Sequence, residues 1–130
     1  MVMAACMALP CLAAPPAAPS APKPVSFLNS VIPVLTRAGC NQGSCHGAAA
    51  GKNGFKLSLR GYAPELDYIA ITRQSRGRRI NTLLPDQSLL LRKALIETPH
   101  KGGMAIQRGT PEYDILTRWL AQGAPGPDPK

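Results

Sequence analysis

The sequence has few acidic residues: seven Asp and Glu stand against fifteen Lys and Arg in 130 residues, which gives a formal net charge of +8. Most of these carboxylates follow a proline at the start of a predicted helix, as in PEL and PEY, where the helix dipole accounts for them. No carboxylate pair and no nucleophile with a neighbouring base is left for acid–base or covalent catalysis. The sequence therefore offers no catalytic site of these kinds.

Aromatic residues are also scarce, with two Phe, three Tyr and one Trp. The densest basic run, RQSRGRR at residues 73–79, has no aromatic residue within it, so nucleic-acid binding is a weak interpretation of the positive charge. A solvated loop is the simplest interpretation of this run. The alternative is pairing with the carboxylates of an acidic partner or of a cofactor.

The sequence lacks an apolar run long enough to span a bilayer. Its first fourteen residues, MVMAACMALPCLAA, are apolar but too short, and the Pro/Ala-rich stretch PPAAPSAPKP follows. This pattern predicts a signal peptide cleaved after Ala13, with the rest of residues 1–24 forming an extended tether. A lipid anchor at Cys11 is the weaker alternative, because Pro10 directly precedes it. We therefore expect an exported protein, periplasmic or at the cell surface, without a membrane span.

Proline and glycine divide residues 25–124 into short helices, which predicts a mainly α domain followed by a linker-like tail at residues 125–130. The first helix is expected to have Asn29 or Ser30 as its N-cap, with Pro33 in its first turn, and to end at Gly39. The alternating pattern of GFKLSLRGY predicts a short extended segment. A core built from about four short helices is thin, so a covalent staple would help to stabilise it.

Three further helices are predicted, each opened by a proline. They correspond to PELDYIAITRQS, to residues 85–95 and to TPEYDILTRWLAQGAP. The last is the clearest, because Thr110 can cap it, Pro111 opens it and Gly123 ends it. Its predicted apolar stripe comprises Tyr113, Leu116 and Leu120, with Ile115 and Trp119 beside them.

Two cysteines and a histidine lie together in AGCNQGSCHGAAAG, and they are the residues with the clearest chemistry. Cys40 and Cys45 are separated by four residues, and His46 follows directly. They can form a disulfide, contribute with His100 to a zinc site, or attach a haem covalently as in the Cys-x-x-Cys-His arrangement. The haem interpretation uses all three residues, but on a regular helix the longer spacing would separate the thiols by about 140°. NQGS must then loop out, and Gly43 is the residue expected to permit this.

The sequence resembles the planctomycete-type cytochrome c domain over residues 25–125. The resemblance rests on SFLNSVIPVLTRAGCNQGSCHGAAAGKNGFKLSLRGY, GRRIN, PDQSLLLRKAL, PHKGG and TPEYDILTRWLAQGAP. A variant branch of that family has four residues between its haem cysteines. The resemblance implies a compact single-haem domain in which Cys40 and Cys45 form thioethers and His46 is the proximal iron ligand. Such domains often precede larger domains in exported proteins.

The second axial iron ligand has two candidates in TPHKGGMAIQRG: His100 and Met104. We favour His100, because the histidine is the recurring feature of this loop in the family variant. Methionine is the usual ligand of small cytochromes c and raises the reduction potential, whereas two histidines imply a lower one. The third possibility is an open iron face. In the cytochrome interpretation, Arg78 and Arg79 are candidates for pairing with haem propionates.

The resulting hypothesis is an exported cytochrome c that binds one haem c and transfers single electrons, with an acidic redox partner docking on its basic surface. One alternative is a haem-free interaction module stapled by a Cys40–Cys45 disulfide. Another is a haem domain whose open face binds a small ligand. We expect an electron carrier rather than an enzyme.

Overall fold

The computed structural model describes residues 22–127, and helices dominate this part of the chain. Its four α-helices are α1 (Ile32–Arg37), α2 (Pro64–Thr72), α3 (Leu89–Ala94) and α4 (Pro111–Ala121). A π-helical turn precedes α1 at Phe27–Val31, and 3₁₀ turns lie at Leu59–Gly61, Gln74–Gly77 and Pro85–Gln87. Within residues 22–127 the only β pairing is one bridge between Lys52 and Phe55. The prediction of a mainly α fold is confirmed.

The first helical segment begins earlier than predicted. Its N-cap is Ser26, whose Oγ accepts a hydrogen bond of 3.1 Å from the backbone N–H of Asn29. The predicted cap at Asn29 or Ser30 is therefore wrong. Pro33 cannot donate a backbone hydrogen bond, and the chain meets this restriction with a widened π-helical turn just before the proline.

The predicted end of this helix is confirmed at Gly39, which has a φ of +77°. The N–H of Gly39 bonds to the carbonyl of Thr36, and the N–H of Cys40 bonds to the carbonyl of Leu35 at 2.9 Å. This pair of bonds is a Schellman motif, which satisfies carbonyls at the helix end. The motif fixes the direction in which the chain leaves the helix at Cys40.

Two other predictions are corrected by the structure. Residues 85–95 are not one helix, because Ser88 is extended (φ −60°, ψ 127°) and its buried Oγ accepts the N–H of Asn81 at 2.8 Å. The extended segment of GFKLSLRGY ends at Ser58, where the chain enters a 3₁₀ turn. As a result Leu57 is buried, whereas Leu59 is 48% exposed.

Helix α4 forms as the sequence predicts. Thr110 caps its first turn by accepting from the N–H of Tyr113, and Gly123 follows its end with a φ of +84°. Leu116, Trp119 and Leu120 are fully buried against the core. The rings of Trp119 and Phe27 lie 5.6 Å apart, so the last helix packs on the π-helical turn that leads into α1. These contacts form one hydrophobic core on which the loop of Cys40 rests.

Several predictions fall on residues that the structure does not describe. These are the signal peptide, the cleavage after Ala13, the alternative anchor at Cys11, most of the tether and residues 128–130 of the tail. Within residues 22–127, no helix is both long enough and apolar enough to cross a membrane.

Candidate cofactor-binding site

The loop between the two cysteines folds back on itself. The N–H of Cys45 and the N–H of Gly47 both donate to the carbonyl of Gln42, at 3.0 and 2.9 Å. The N–H of His46 returns to the carbonyl of Cys40 at 3.0 Å. The four intervening residues therefore form a closed turn that brings Cys40 and Cys45 near each other.

Both thiols are free and half-buried. Burial raises the pKa of Cys40 to about 11, and the nearby thiol of Cys45 contributes to the increase. Cys40 is therefore protonated at neutral pH and lacks the lowered pKa of a thiol used for rapid disulfide exchange. The turn therefore holds two free thiols, and burial keeps the Cys40 thiol from being activated for exchange.

The loop depends on a different glycine from the one that the sequence suggests. Gly43 has no positive φ, and a Cβ there would meet only Leu59 Cδ1 at 3.9 Å. Gly47 is the restricted position, because a Cβ on it would lie 2.2 Å from the carbonyl oxygen of Asn41. The prediction for Gly43 is wrong: the close approach of backbone to backbone occurs after the second cysteine.

We expect Gly47→Ala to destabilise the protein by roughly 1–3 kcal/mol, because the new methyl group overlaps backbone atoms that are held in place. Asn41 is fully buried, and its side chain bonds to the hydroxyl of Thr36 at 2.9 Å, so its backbone has little freedom to move. Gly43→Ala is the matched control, with no expected loss. Thermal unfolding of the two variants measures the difference, and equal midpoints would contradict this account of the loop.

The His46 side chain is held by an extended segment that passes beside it. Its Nδ1 lies 2.9 Å from the carbonyl oxygen of Phe55, and its own carbonyl accepts the N–H of Leu57 at 2.8 Å. Because a carbonyl oxygen can only accept, Nδ1 carries the proton and Nε2 is the bare nitrogen. Burial lowers the pKa of His46, and repulsion from nearby basic groups, Arg79 among them, adds to this effect, although the Phe55 bond opposes it. A neutral imidazole with a free Nε2 is the form that binds metals.

His100 has the same arrangement in the loop between α3 and α4. Its Nδ1 lies 3.0 Å from the carbonyl oxygen of Gly103, so in the neutral ring Nε2 is the nitrogen without a proton. The ring packs on its own loop, since a Cβ on Gly102 would approach His100 Cε1 to 2.8 Å. Neither Nε2 has a hydrogen-bond partner among residues 22–127. Anchoring of the other ring nitrogen by a carbonyl is the usual support for a metal-binding histidine.

The two imidazoles lie close together and nearly parallel, although they are far apart in sequence. Their ring centroids are 6.3 Å apart, and the angle between the ring planes is 9°. An imidazole nitrogen bonds a metal at about 2 Å and the ring centre lies about 1 Å behind it, so two imidazoles on opposite sides of one ion have centroids about 6 Å apart. The observed centroid separation of His46 and His100 matches this distance.

Met104, the other candidate ligand, is 56% exposed. It lines a groove of about 250 Å³ beside the end of α1, together with Arg37, Ala38 and the first turn of α4. His100 is the candidate ligand whose ring lies beside that of His46.

Among residues 22–127, no group of three or more His, Cys, Asp and Glu side chains is arranged to hold a metal ion. An axial pair on a planar cofactor needs only two protein nitrogens, and the macrocycle supplies the other ligands. Two imidazoles whose Nδ1 atoms are bound to carbonyls and two free thiols are the donor types that a covalently attached haem would use.

Comparison with known proteins found no match: no family model, no curated protein and no solved structure matches the chain. The site is therefore interpreted from its own residues.

Two contributors to the site were not identified from the sequence. Phe55 was assigned only to an extended segment, but its carbonyl orients His46, and its ring lies 4.5 Å from the imidazole. Arg79 was assigned to a basic run that would be solvated or would pair with a cofactor. It is 5% exposed, so it is not solvated, and its guanidinium lies 4.5 Å over the Phe55 ring. The GKNGF pattern before the extended segment marks a tight turn, but nothing local indicates that an arginine packs on it.

Proposed function

We propose that the chain is an exported cytochrome c domain that binds one haem c covalently and transfers single electrons. The observation that carries this proposal is the pair formed by His46 and His100, whose parallel rings are 6.3 Å apart. Both histidines keep Nε2 free because Nδ1 is bound to a carbonyl. Two free thiols lie at the start and end of the turn that leads into His46.

In this proposal Cys40 and Cys45 form the thioether bonds, His46 is the proximal iron ligand and His100 is the second axial ligand. The bound haem supplies a ferric–ferrous couple that accepts and returns one electron. The protein holds the two imidazoles in fixed orientations through the carbonyls of Phe55 and Gly103. These bonds also keep the proton on Nδ1, so that each Nε2 is available to iron.

Partner recognition in this proposal depends on the positive surface. The chain has a formal net charge of +8, and Arg73, Arg76 and Arg78 of the basic run are all exposed. Such a surface attracts an acidic redox partner and speeds its encounter, so the rate of electron exchange should fall as salt increases. Export to the periplasm or cell surface is part of the proposal and rests on the apolar N-terminal sequence.

The proposal is tested by expressing the full chain together with haem-attachment machinery. We expect a red protein whose haem remains bound after denaturation and gives a pyridine haemochrome typical of thioether-linked haem. The reduced and oxidised spectra should show six-coordinate, low-spin iron. A colourless product containing a Cys40–Cys45 disulfide by mass spectrometry would contradict the proposal and support the stapled interaction module.

A further inference from the structure

Arg79 is a buried cation with no acidic partner in the described part of the chain, residues 22–127. It is 5% exposed, whereas the neighbouring Arg76 and Arg78 are exposed. No Asp or Glu within residues 22–127 forms an ion pair with it. Buried charges are normally paired, because removing a charge from water is unfavourable. A buried positive charge contributes little to solubility, so the function of Arg79 has to be sought in its contacts inside the protein.

The guanidinium is held by backbone carbonyls from two parts of the chain. One terminal nitrogen, Nη1, donates to Ala70 at 2.9 Å and to Gln74 at 3.2 Å, at the end of α2. The other, Nη2, donates to Gly54 at 2.9 Å. The side chain therefore fastens the turn at Gly54 to the end of a helix.

The backbone before Arg79 is shaped to direct it inward. Ser75 and Arg76 have φ values of +54° and +60°, and Gly77 follows with +69°. This left-handed turn is unfavourable for residues other than glycine and is stabilised here by the surrounding contacts. It reverses the chain after α2, so that Arg79 returns beneath the helix end while Arg78 stays in solvent.

Arg79 acts directly on the residue that orients His46. Its guanidinium lies over the Phe55 ring at 4.5 Å and binds the carbonyl of Gly54, the residue before Phe55. The Phe55 ring is 4.5 Å from the His46 ring, and the Phe55 carbonyl accepts the His46 Nδ1 proton. Arg79 therefore holds the Phe55 ring and the peptide group that precedes it. The same ring and the Phe55 carbonyl contact His46.

We propose that Arg79 is a positioning residue for the iron ligand His46 and that its buried charge raises the reduction potential of the haem; this inference rests on the proposed function. A fixed positive charge in a poorly solvated region disfavours the more positive ferric state relative to the ferrous state. Because the guanidinium is shielded from solvent ions, its effect persists when salt is added.

The test uses three variants of the haem-loaded full chain. Arg79→Gln removes the charge, Arg79→Lys keeps the charge but loses the forked donor geometry, and Arg78→Gln is the matched control because it removes an exposed charge from the adjacent residue. Reduction potentials are measured by spectroelectrochemistry at low and high salt. Ferric electron paramagnetic resonance spectra report the orientation of the imidazole planes, and thermal unfolding reports stability.

We expect Arg79→Gln to lower the potential more than Arg78→Gln and to keep this difference at high salt. Arg79→Lys should retain most of the potential but show changed g-values, because His46 is less well oriented. If Arg79→Gln yields no holoprotein, the g-values of Arg79→Lys decide the positioning role. A lower melting temperature with unchanged spectra in Arg79→Lys, or equal potentials for Arg79→Gln and Arg78→Gln, would overturn the inference.

These outcomes are distinct from failure of the proposed function. If the wild-type chain takes up no haem, the cytochrome proposal fails and Arg79 has no ligand to position. If the wild type carries haem while the Arg79 variants behave like Arg78→Gln, only the inference on Arg79 fails.

Discussion

Replacing Cys45 with alanine is expected to reduce covalent haem in the purified protein to background. Cys45 directly precedes His46, and the turn that contains it is closed by the bond from the His46 N–H to the Cys40 carbonyl. Loss of this thiol removes the attachment point nearest the proximal ligand. His46→Ala should have a comparable effect, because it removes the imidazole that we propose as the proximal iron ligand. Absorbance of the denatured protein, together with haem staining after electrophoresis, measures the loss.

Two controls separate attachment from folding. Ser44→Ala changes an exposed hydroxyl 3.9 Å from the Cys45 sulfur and should leave haem attachment at the wild-type level. His100→Ala should keep the covalent haem, because His100 contributes to neither thioether. If Cys45→Ala is as red as Ser44→Ala after denaturation, the thioether assignment is wrong.

The double variant Cys40→Ala/Cys45→Ala distinguishes the two uses of the cysteines. If the chain is a cytochrome, the double variant is colourless, and the loss of haem absorbance is the main effect. In a disulfide-stapled module the wild type is already colourless, and the double variant loses the stabilisation of a short cross-linked loop, about 2 kcal/mol. Haem absorbance and the unfolding midpoint, measured on the wild type and on the double variant, therefore identify which bond the thiols form.

Helix ends set by local signals could be predicted from the sequence. Thr110, Pro111 and Gly123 act within one turn of α4, and Gly39 ends α1 through bonds to carbonyls only a few residues earlier. The break in the predicted helix over residues 85–95 lies where a partner outside the helix competes with the local signal. Ser88 occupies the N-cap position of α3, but its hydroxyl accepts the N–H of Asn81 instead of capping the helix, and the extended backbone there separates α3 from the turn at Pro85–Gln87.

The candidate site also has features that the sequence predicts and features that depend on the fold. The spacing of Cys40, Cys45 and His46 indicates a cofactor chemistry without knowledge of the fold. The proximity of His46 and His100, by contrast, depends on how the loops after α1 and α3 pack together. The burial of Arg79 depends on a left-handed turn and on a bond to Gly54, 25 residues away. Nothing in RQSRGRR distinguishes the buried arginine from its exposed neighbours.

The identity of the second axial ligand gives the other large expected effect. We expect His100→Ala to convert a six-coordinate, low-spin haem into a form with an open face, whose spectrum is high-spin and which binds added imidazole. The reason is that His100 is the side chain whose anchored ring lies 6.3 Å from His46, with its Nε2 free. Added imidazole should restore the low-spin spectrum, because it replaces the missing ligand without repairing the loop.

Met104→Leu is the matched variant, because it removes the competing sulfur from the same loop and keeps an apolar side chain of similar size. Met104 is exposed and lies in the groove beside α1, so this change should leave the spectrum and the potential unaltered. A wild-type ferric spectrum with the weak near-red band of methionine ligation, lost in Met104→Leu, would reverse the assignment. It would also place the potential in the higher range that methionine ligation gives.

A third result is possible in the same experiment and has a separate meaning. If the wild type is already high-spin and binds added imidazole as readily as His100→Ala does, neither His100 nor Met104 closes the iron face. The domain would then be suited to binding a small ligand rather than to carrying electrons alone. The proposed function predicts the opposite result, because it uses both imidazoles, each held at Nδ1 by a backbone carbonyl, as iron ligands.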